Sequence, residues 1–265
     1  RSHRRTRTGC AAGVQQLAGV LSIVQRSAAE RAGSDYDEEA DAVMRQHGII
    51  RVATMDEMVE TLAAFHAPVL PQGDGVSALF LSGGAAGLMS DIGEDLGLRF
   101  PELSAETTAK LTEIIPAFGT IGNPLDTTGQ IWEIPGAFSR AVETLADDPN
   151  VDIVIYGRHA PGRLDLHPEV GEFPPDLPAR YPNKLFFILS HVGGTFHDIS
   201  YPEQQMLVPA TSLGGIPFLQ TIDNGLRAIR NLLDYAAFQR GRQQHAHATS
   251  AEVTSASDAA LNRTT

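Results

Sequence analysis

The chain holds 265 residues, 42% of them apolar and 20% charged, enough for one large hydrophobic core or two modest ones. Its 32 acidic against 20 basic side chains leave a formal charge of −12, which disfavours a nucleic-acid or anionic-membrane surface. No apolar run reaches the roughly 18 residues of a membrane helix, and the single cysteine, Cys10, excludes an internal disulfide framework and a cysteine-based zinc site.

These features fit a cytoplasmic protein of small-molecule chemistry, with neither nucleic acid nor membrane among its partners. The chain opens on Arg1 with no apolar signal-peptide core behind it, so it is read as a fragment of a longer protein. Residues 1–31 are atypical: Arg-rich and Ala-rich text in which Val14 to Val24 is the only packing stretch.

Asp37 to His47 carries helix formers and stops at Gly48, IIRV at 49–52 reads as a short buried strand, and Thr54 with Glu57 forms a capping box that opens a helix to about His66. Pro68, Pro71, Gly73 and Gly75 then break the text, the best candidate for a domain boundary. VSALFL at 76–81 is the next strand, and SGGAAG at 82–87 turns it into a helix that runs to about Leu96. Ser104 with Thr107 opens a helix to Ile115, GNPLDTTG at 122–129 is a loop of turn formers, and Glu133 to Leu145 is helical.

VDIVIY at 151–156, KLFFIL at 184–189 and IPFLQT at 216–221 are apolar strands, and Ile222 to Arg240 is a helix with Leu226, Ile229, Leu233 and Ala237 on one stripe. From about 241 to 265 the text is rich in Ala, Ser and Thr with few bulky side chains, which predicts a disordered tail. Uninterrupted apolar strands alternating with helices predict an α/β fold whose parallel sheet is covered on both faces.

Ligands of such sheets gather at the carboxyl ends of the strands, which selects the loops 82–87, 122–129, 157–167 and 190–198. SGGAAG places free N–H groups and the positive end of a helix at one point, so Ser82, Gly83, Gly84 and Ala85 are candidates to hold an anion. Small residues there could equally serve tight strand-to-helix packing, and the loop matches neither GxGxxG nor a P-loop. In GNPLDTTG, Asn123, Asp126, Thr127 and Thr128 converge beside Pro124, although Asp126 could be only a turn former.

His159, His167, His191 and His197 lie in two of these loops with Asp165 and Asp198 nearby, yet at no spacing that marks a metal site, and no metal ligand is assigned. GRHAPGR holds Arg158 and Arg163, which could pair with phosphate or stay solvated. Ser82 and Ser190 follow strands without the GxSxG context of a hydrolase nucleophile.

Five segments in order, 48–65, 76–98, 103–129, 147–156 and 215–240, resemble the NDP-forming acyl-CoA synthetases, the succinyl-CoA synthetase-like family that includes acetate–CoA ligases. The resemblance covers roughly residues 32–240. It implies a flavodoxin-like parallel sheet at 73–240, a succinyl-CoA synthetase-like domain, preceded by residues 1–67 as the incomplete end of a first flavodoxin-like domain.

It further implies the joining of a small carboxylic acid to CoA at the expense of ATP, through an acyl phosphate and a phosphohistidine. The helix opening at Gly83 would then be one of two whose N-termini stabilise that phosphohistidine, with Asn123 and Asp126 beside it. CoA, ATP or ADP and magnesium are implied for the complete enzyme, with no cofactor bound tightly here. The implied partners are CoA-binding and ATP-grasp domains or subunits, with oligomerisation open.

The departure from the family lies at QRSAAERAGSD, residues 25–35, where Ser27 stands near the position of the phosphorylated histidine and His3 is too far upstream to replace it. No catalytic residue is therefore assigned, and the chain alone is expected to be inactive as a ligase. Two alternatives stand beside this reading: a noncatalytic flavodoxin-like binding module or degenerate remnant, and a metalloenzyme built on His159, His191 and His197.

Overall fold

The computed structural model describes residues 23–25, 35–158, 174, 176–191 and 216–261. A short strand β1 (Ile23–Gln25) pairs in parallel with β2 (Ile50–Val52), and between them lies helix α1 (Asp35–Gln46), followed by Gly48 in the left-handed region at φ +69°. Helix α2 (Met55–Ala64) is capped by Thr54, whose Oγ1 accepts from Glu57 N at 3.1 Å, while Glu57 Oε2 reaches one residue past the cap to accept from Ala53 N at 2.8 Å.

The larger sheet begins with β3 (Val76–Phe80), which leads into α3 (Gly83–Asp95). After α4 (Ala105–Ile114) come the short β4 (Leu125–Asp126), a 3₁₀ turn (Gly129–Glu133) and α5 (Ala137–Asp147). Strands β5 (Ile153–Arg158), β6 (Leu185–Ser190) and β7 (Phe218–Leu219) complete it, with a single-turn helix α6 (Leu177–Arg180) before β6 and α7 (Ile222–Leu261) at the end.

All pairings are parallel and the strand order is β4-β3-β5-β6-β7. Renumbered within this sheet the order is 2-1-3-4-5, the flavodoxin-like arrangement, whose switch point falls between β3 and β5.

The strands carry apolar side chains on both faces, as a covered parallel sheet demands. One face gathers Val76, Ala78, Phe80, Ile153, Ile155, Phe187 and Leu189 under Met89 of α3 and Leu226, Ile229 and Leu233 of α7. The other gathers Leu79, Val154, Tyr156, Phe186 and Ile188 under Leu111 of α4 and Phe138, Ala141 and Leu145 of α5. Buried apolar side chains of this size contribute about 1.5–3 kcal/mol each, so the two layers supply most of the driving force.

The first core cluster also contains Ile50, Val52, Ala64 and Phe65, so the text before the Pro/Gly break packs onto the same core as the sheet. The expected disordered tail is helical as far as Leu261, because an Ala-rich, proline-free stretch satisfies its backbone within the helix and needs no buried side chains to do so. No helix among the described residues is long and apolar enough to cross a membrane.

Candidate functional site at the carboxyl edge of the sheet

The sequence places glycines where β3 gives way to α3, and the structure leaves that turn open. Ser82, Gly83 and Gly84 are exposed, Ala85 is half-buried, and the Ser82 side chain makes no capping bond. The first N–H with a partner is that of Ala86, which donates to Ser82 O at 3.1 Å. The N–H groups of Gly83, Gly84 and Ala85 therefore point free at the positive end of a helix of 13 residues, at the switch point of the sheet.

Next to them lies β4. Phe80 pairs with Asp126 in register, and Thr127 donates to Phe80 O from both its N–H, at 2.8 Å, and its hydroxyl, at 2.9 Å. Asp126 Oδ1 accepts from Thr128 N at 3.0 Å, and its backbone exchanges two bonds with Thr120, at 3.0 and 3.1 Å.

Its other oxygen, Oδ2, leans on the helix start, where a Cβ added to Gly83 would come within 2.8 Å of it. Gly83 thus lets the carboxylate approach the helix, whereas a Cβ on Gly84 would meet nothing nearer than Ser82 Oγ at 3.8 Å. Thr128 holds φ +54°, unusual for a β-branched residue, and its hydroxyl is buried with no hydrogen-bond partner.

Around this centre, Trp132 stacks on Phe138 at 4.6 Å and Phe138 meets Tyr156 edge-on at 4.6 Å, which fixes the 3₁₀ turn to the end of β5. From β6, His191 brings its ring to 5.2 Å from that of Phe80.

The predicted residues therefore divide. Ser82, Gly83, Gly84, Ala85 and Asp126 come together at the edge. Asn123 does not: its Nδ2 donates to Val76 O at 2.8 Å and Pro101 O at 3.1 Å, and its Oδ1 accepts from Ala78 N at 3.3 Å. Those partners lie in the first half of β3 and beyond α3, so its amide serves as a brace between them and is withdrawn as an anion ligand.

Ser27, His159, Arg163, Asp165, His167, His197 and Asp198 lie outside the described residues. The described residues contain no group of three His, Cys, Asp or Glu side chains placed to hold a metal ion.

Nothing in the sequence pointed to Thr120, whose contact with Asp126 spans a loop, and although Thr128 was among the candidates, nothing marked its hydroxyl as buried and unpartnered. A Thr at left-handed φ leaves no trace in composition, although TTG after a strand hinted at a sharp turn.

A second polar cluster, not foreseen, joins α2 to the β7–α7 junction. Glu57 and Glu60 are each 6% exposed and Thr61 is fully buried. Glu60 Oε2 accepts from Gln220 N at 2.8 Å, and Asn231 Nδ2 donates to Thr61 Oγ1 at 3.0 Å and to Glu57 Oε1 at 3.3 Å. Burial pushes the Glu60 carboxyl up to about 7, against the lowering effect of the Gln220 N–H and with a smaller upward push from Asp56.

Comparison with known proteins adds similarities. Residues 76–161 match the model of the Ligase-CoA domain. The chain is 28% identical over 208 residues to acetate–CoA ligase [ADP-forming] II of Archaeoglobus fulgidus, covering 76% of this chain and 28% of that protein. It is 33% identical over 116 residues to the alpha subunit of acetate–CoA ligase [ADP-forming] II of Pyrococcus furiosus, covering 43% of this chain and 24% of that one.

The chain thus spans about a quarter of the length of these curated relatives. In fold it is like a solved protein of Pyrococcus horikoshii OT3, with a TM-score of 0.65 and 22% identity over 88% of this chain and 51% of that one. It is also like the dinucleotide-forming acetyl-coenzyme A synthetase 1 of Ca. Korarchaeum cryptofilum in complex with phosphate and ADP, with a TM-score of 0.57 and 19% identity over 89% of this chain and 46% of that one. Residues 76–161 are accordingly similar to a Ligase-CoA domain, and the chain is similar in sequence to parts of ADP-forming acetate–CoA ligases.

Proposed function

We propose that this chain serves acid–CoA ligation as the part that receives a phosphoryl group at the start of α3. The observation that carries this reading is the set of three unpaired N–H groups at Gly83, Gly84 and Ala85, exposed at the switch point of a flavodoxin-like sheet. In this reading residues 73–240 are a second flavodoxin-like domain and residues 1–67 the end of a first.

The relatives are named for joining acetate to CoA with formation of ADP, and one fold neighbour was solved with phosphate and ADP. The acid, CoA and ATP would meet at domains or subunits that complete the enzyme, and magnesium would enter with the nucleotide. Within this chain the helix start would stabilise negative charge on a phosphoryl group brought from elsewhere.

Asp126 sets a condition on that group. A free phosphate dianion docking at Gly83 meets the Oδ2 carboxylate oxygen, a like charge. A phosphoryl group on one nitrogen of an imidazole leaves the other ring nitrogen able to take up a proton, and the N–H of that protonated ring can donate to Oδ2, so the arrangement suits a phosphohistidine better than inorganic phosphate. Because Ser27 stands near the place of the family's histidine, that imidazole would belong to a partner.

The test is to graft residues 76–240 in place of the matching stretch of the Archaeoglobus fulgidus enzyme and to follow ATP consumption that depends on both acid and CoA. Activity that falls at least about tenfold in the Gly84→Val variant, with the fold intact, supports the role. Full activity in that variant removes it.

The serine near the histidine position favours a second reading, a noncatalytic flavodoxin-like module. A longer graft, of residues 25–240, that folds and stays inactive, and becomes active when residues 25–35 are returned to the relative's own stretch, shows that this segment has lost the chemistry while the sheet has kept its part.

A further inference from the structure

On most surface helices acidic side chains face water and apolar ones face the core. Helix α2 reverses this on two sides: Met55, Val59 and Leu62 are 57%, 56% and 46% exposed, while Glu57 and Glu60 point inward. The inward face meets the end of β7 and the start of α7, where Gln220 N donates to Glu60 and Thr221 stands at φ +61° with its hydroxyl accepting from Asn224 N at 3.2 Å. The Glu60 carboxyl group thus links the segment before residue 76 to the end of the last strand of the sheet, beside the bonds that Asn231 makes to Thr61 and Glu57.

We propose that Glu60 is a proton-operated latch, holding α2 against the β7–α7 junction more firmly when its carboxyl group is protonated than when it is ionised.

The surroundings favour the neutral form. Among the described residues Gln220 N is the one donor bonded to Glu60, where an ionised carboxylate in water is met by several. Asp56 and Glu57 add negative charge from its own helix. On α7 the facing charges are Asp223 and Arg227; they pair with each other at 3.0 Å, and the Arg227 charge is shared with Glu57. β7 contributes only Phe218 and Leu219, β1 has no charged residue, and Arg51 of β2 is engaged by Asp41.

A carboxyl group that sits near 7 in the closed state and near 4.5 when released binds its proton more tightly closed than open. The closed state is then fully favoured below the released value, loses about tenfold in equilibrium constant per pH unit as pH rises, and levels off above about 7. The device is independent of the ligase reading, since it involves no residue of the α3 site.

The experiment compares the full chain with Glu60→Gln, which keeps a carbonyl to accept from Gln220 N and removes the titration. Hydrogen exchange of α2 amides is measured at pH 5, 6, 7 and 8, and the ratio of opening in wild type to that in the variant cancels the intrinsic pH dependence of exchange. A ratio that climbs at least about thirtyfold from pH 5 to 8 and flattens above 7 is the expected result. A ratio constant across the range overturns the latch.

Should Glu60→Gln fail to fold, carboxyl-carbon NMR of Glu60 in the wild-type chain decides. A midpoint near 7 supports the proposal, and one near 4.5 overturns it.

Discussion

At two places in this molecule a backbone N–H at the carboxyl end of a strand faces a carboxylate, and the outcomes differ. Beyond β7, the N–H of Gln220 is taken by Glu60 and the joint is sealed, with Asn231 closing the remaining gap between α2 and α7. Beyond β3, Asp126 spends one oxygen on Thr128 N and rests the other beside Gly83, leaving three helix amides exposed. Polar backbone that is matched internally makes structure, while polar backbone left unmatched at an open edge is available to a visitor.

This contrast can be broken most forcefully where matching is complete. Asp148 is fully buried and its carboxylate accepts from Ser104 N at 2.7 Å and Asn150 N at 2.8 Å. Burial alone would raise its pKa, but these bonds and those to the Thr107 and Ser104 hydroxyls outweigh it and hold the group below the usual value. Asp148→Ala should cost about 3 kcal/mol in urea denaturation near neutral pH. The stability involved is present above about pH 4 and is lost as pH falls through the lowered value, so the wild-type advantage should shrink in acid; a gap of constant size would count against this account.

At the α2–α7 seam, Asn231→Leu strands Thr61 Oγ1 and Glu57 Oε1 without their shared donor. Its expected cost is about 2 kcal/mol by the same measurement. Gly84→Val tests the open edge: with only Ser82 Oγ near the new Cβ, stability should change by less than about 1 kcal/mol even as the proposed phosphoryl site is blocked. A large loss of stability there would mean that the edge is packed and not open.

The smallest effect should be a gain. Thr221→Asn keeps a side-chain oxygen for Asn224 N and suits the left-handed φ better than a β-branched residue does, adding about 0.5–1 kcal/mol.

Much of the fold was legible because its signals are local. The runs at Val76, Ile153 and Leu185 are too apolar for anything but buried strands, and Thr54 with Glu57 and Ser104 with Thr107 mark helix starts that the structure reproduces. The strand order is not written locally, since the pairing of β3 with β5 joins residues more than seventy positions apart.

In the site, the glycines after β3 announced an open helix start on backbone grounds alone. Asn123 misled because an amide beside a turn can serve a ligand or a neighbouring strand, and only the folded position of Val76 and Pro101 decides between them. Glu57 and Glu60 were invisible as inward groups, because an acid in the first turns of a helix is the commonest of surface features. The helical continuation beyond Arg240 was missed by treating scarcity of bulky side chains as evidence against order.

The cluster that unites Ile50, Val52, Ala64 and Phe65 with the sheet has a practical consequence for anyone wishing to isolate the five-stranded sheet. Severing the polypeptide in the Pro68 to Gly75 stretch would strip a layer from α7, baring a greasy flank that water cannot wet and inviting self-association. The thrifty excision is the long one, which keeps α2 attached and carries its neighbour's cover along with it.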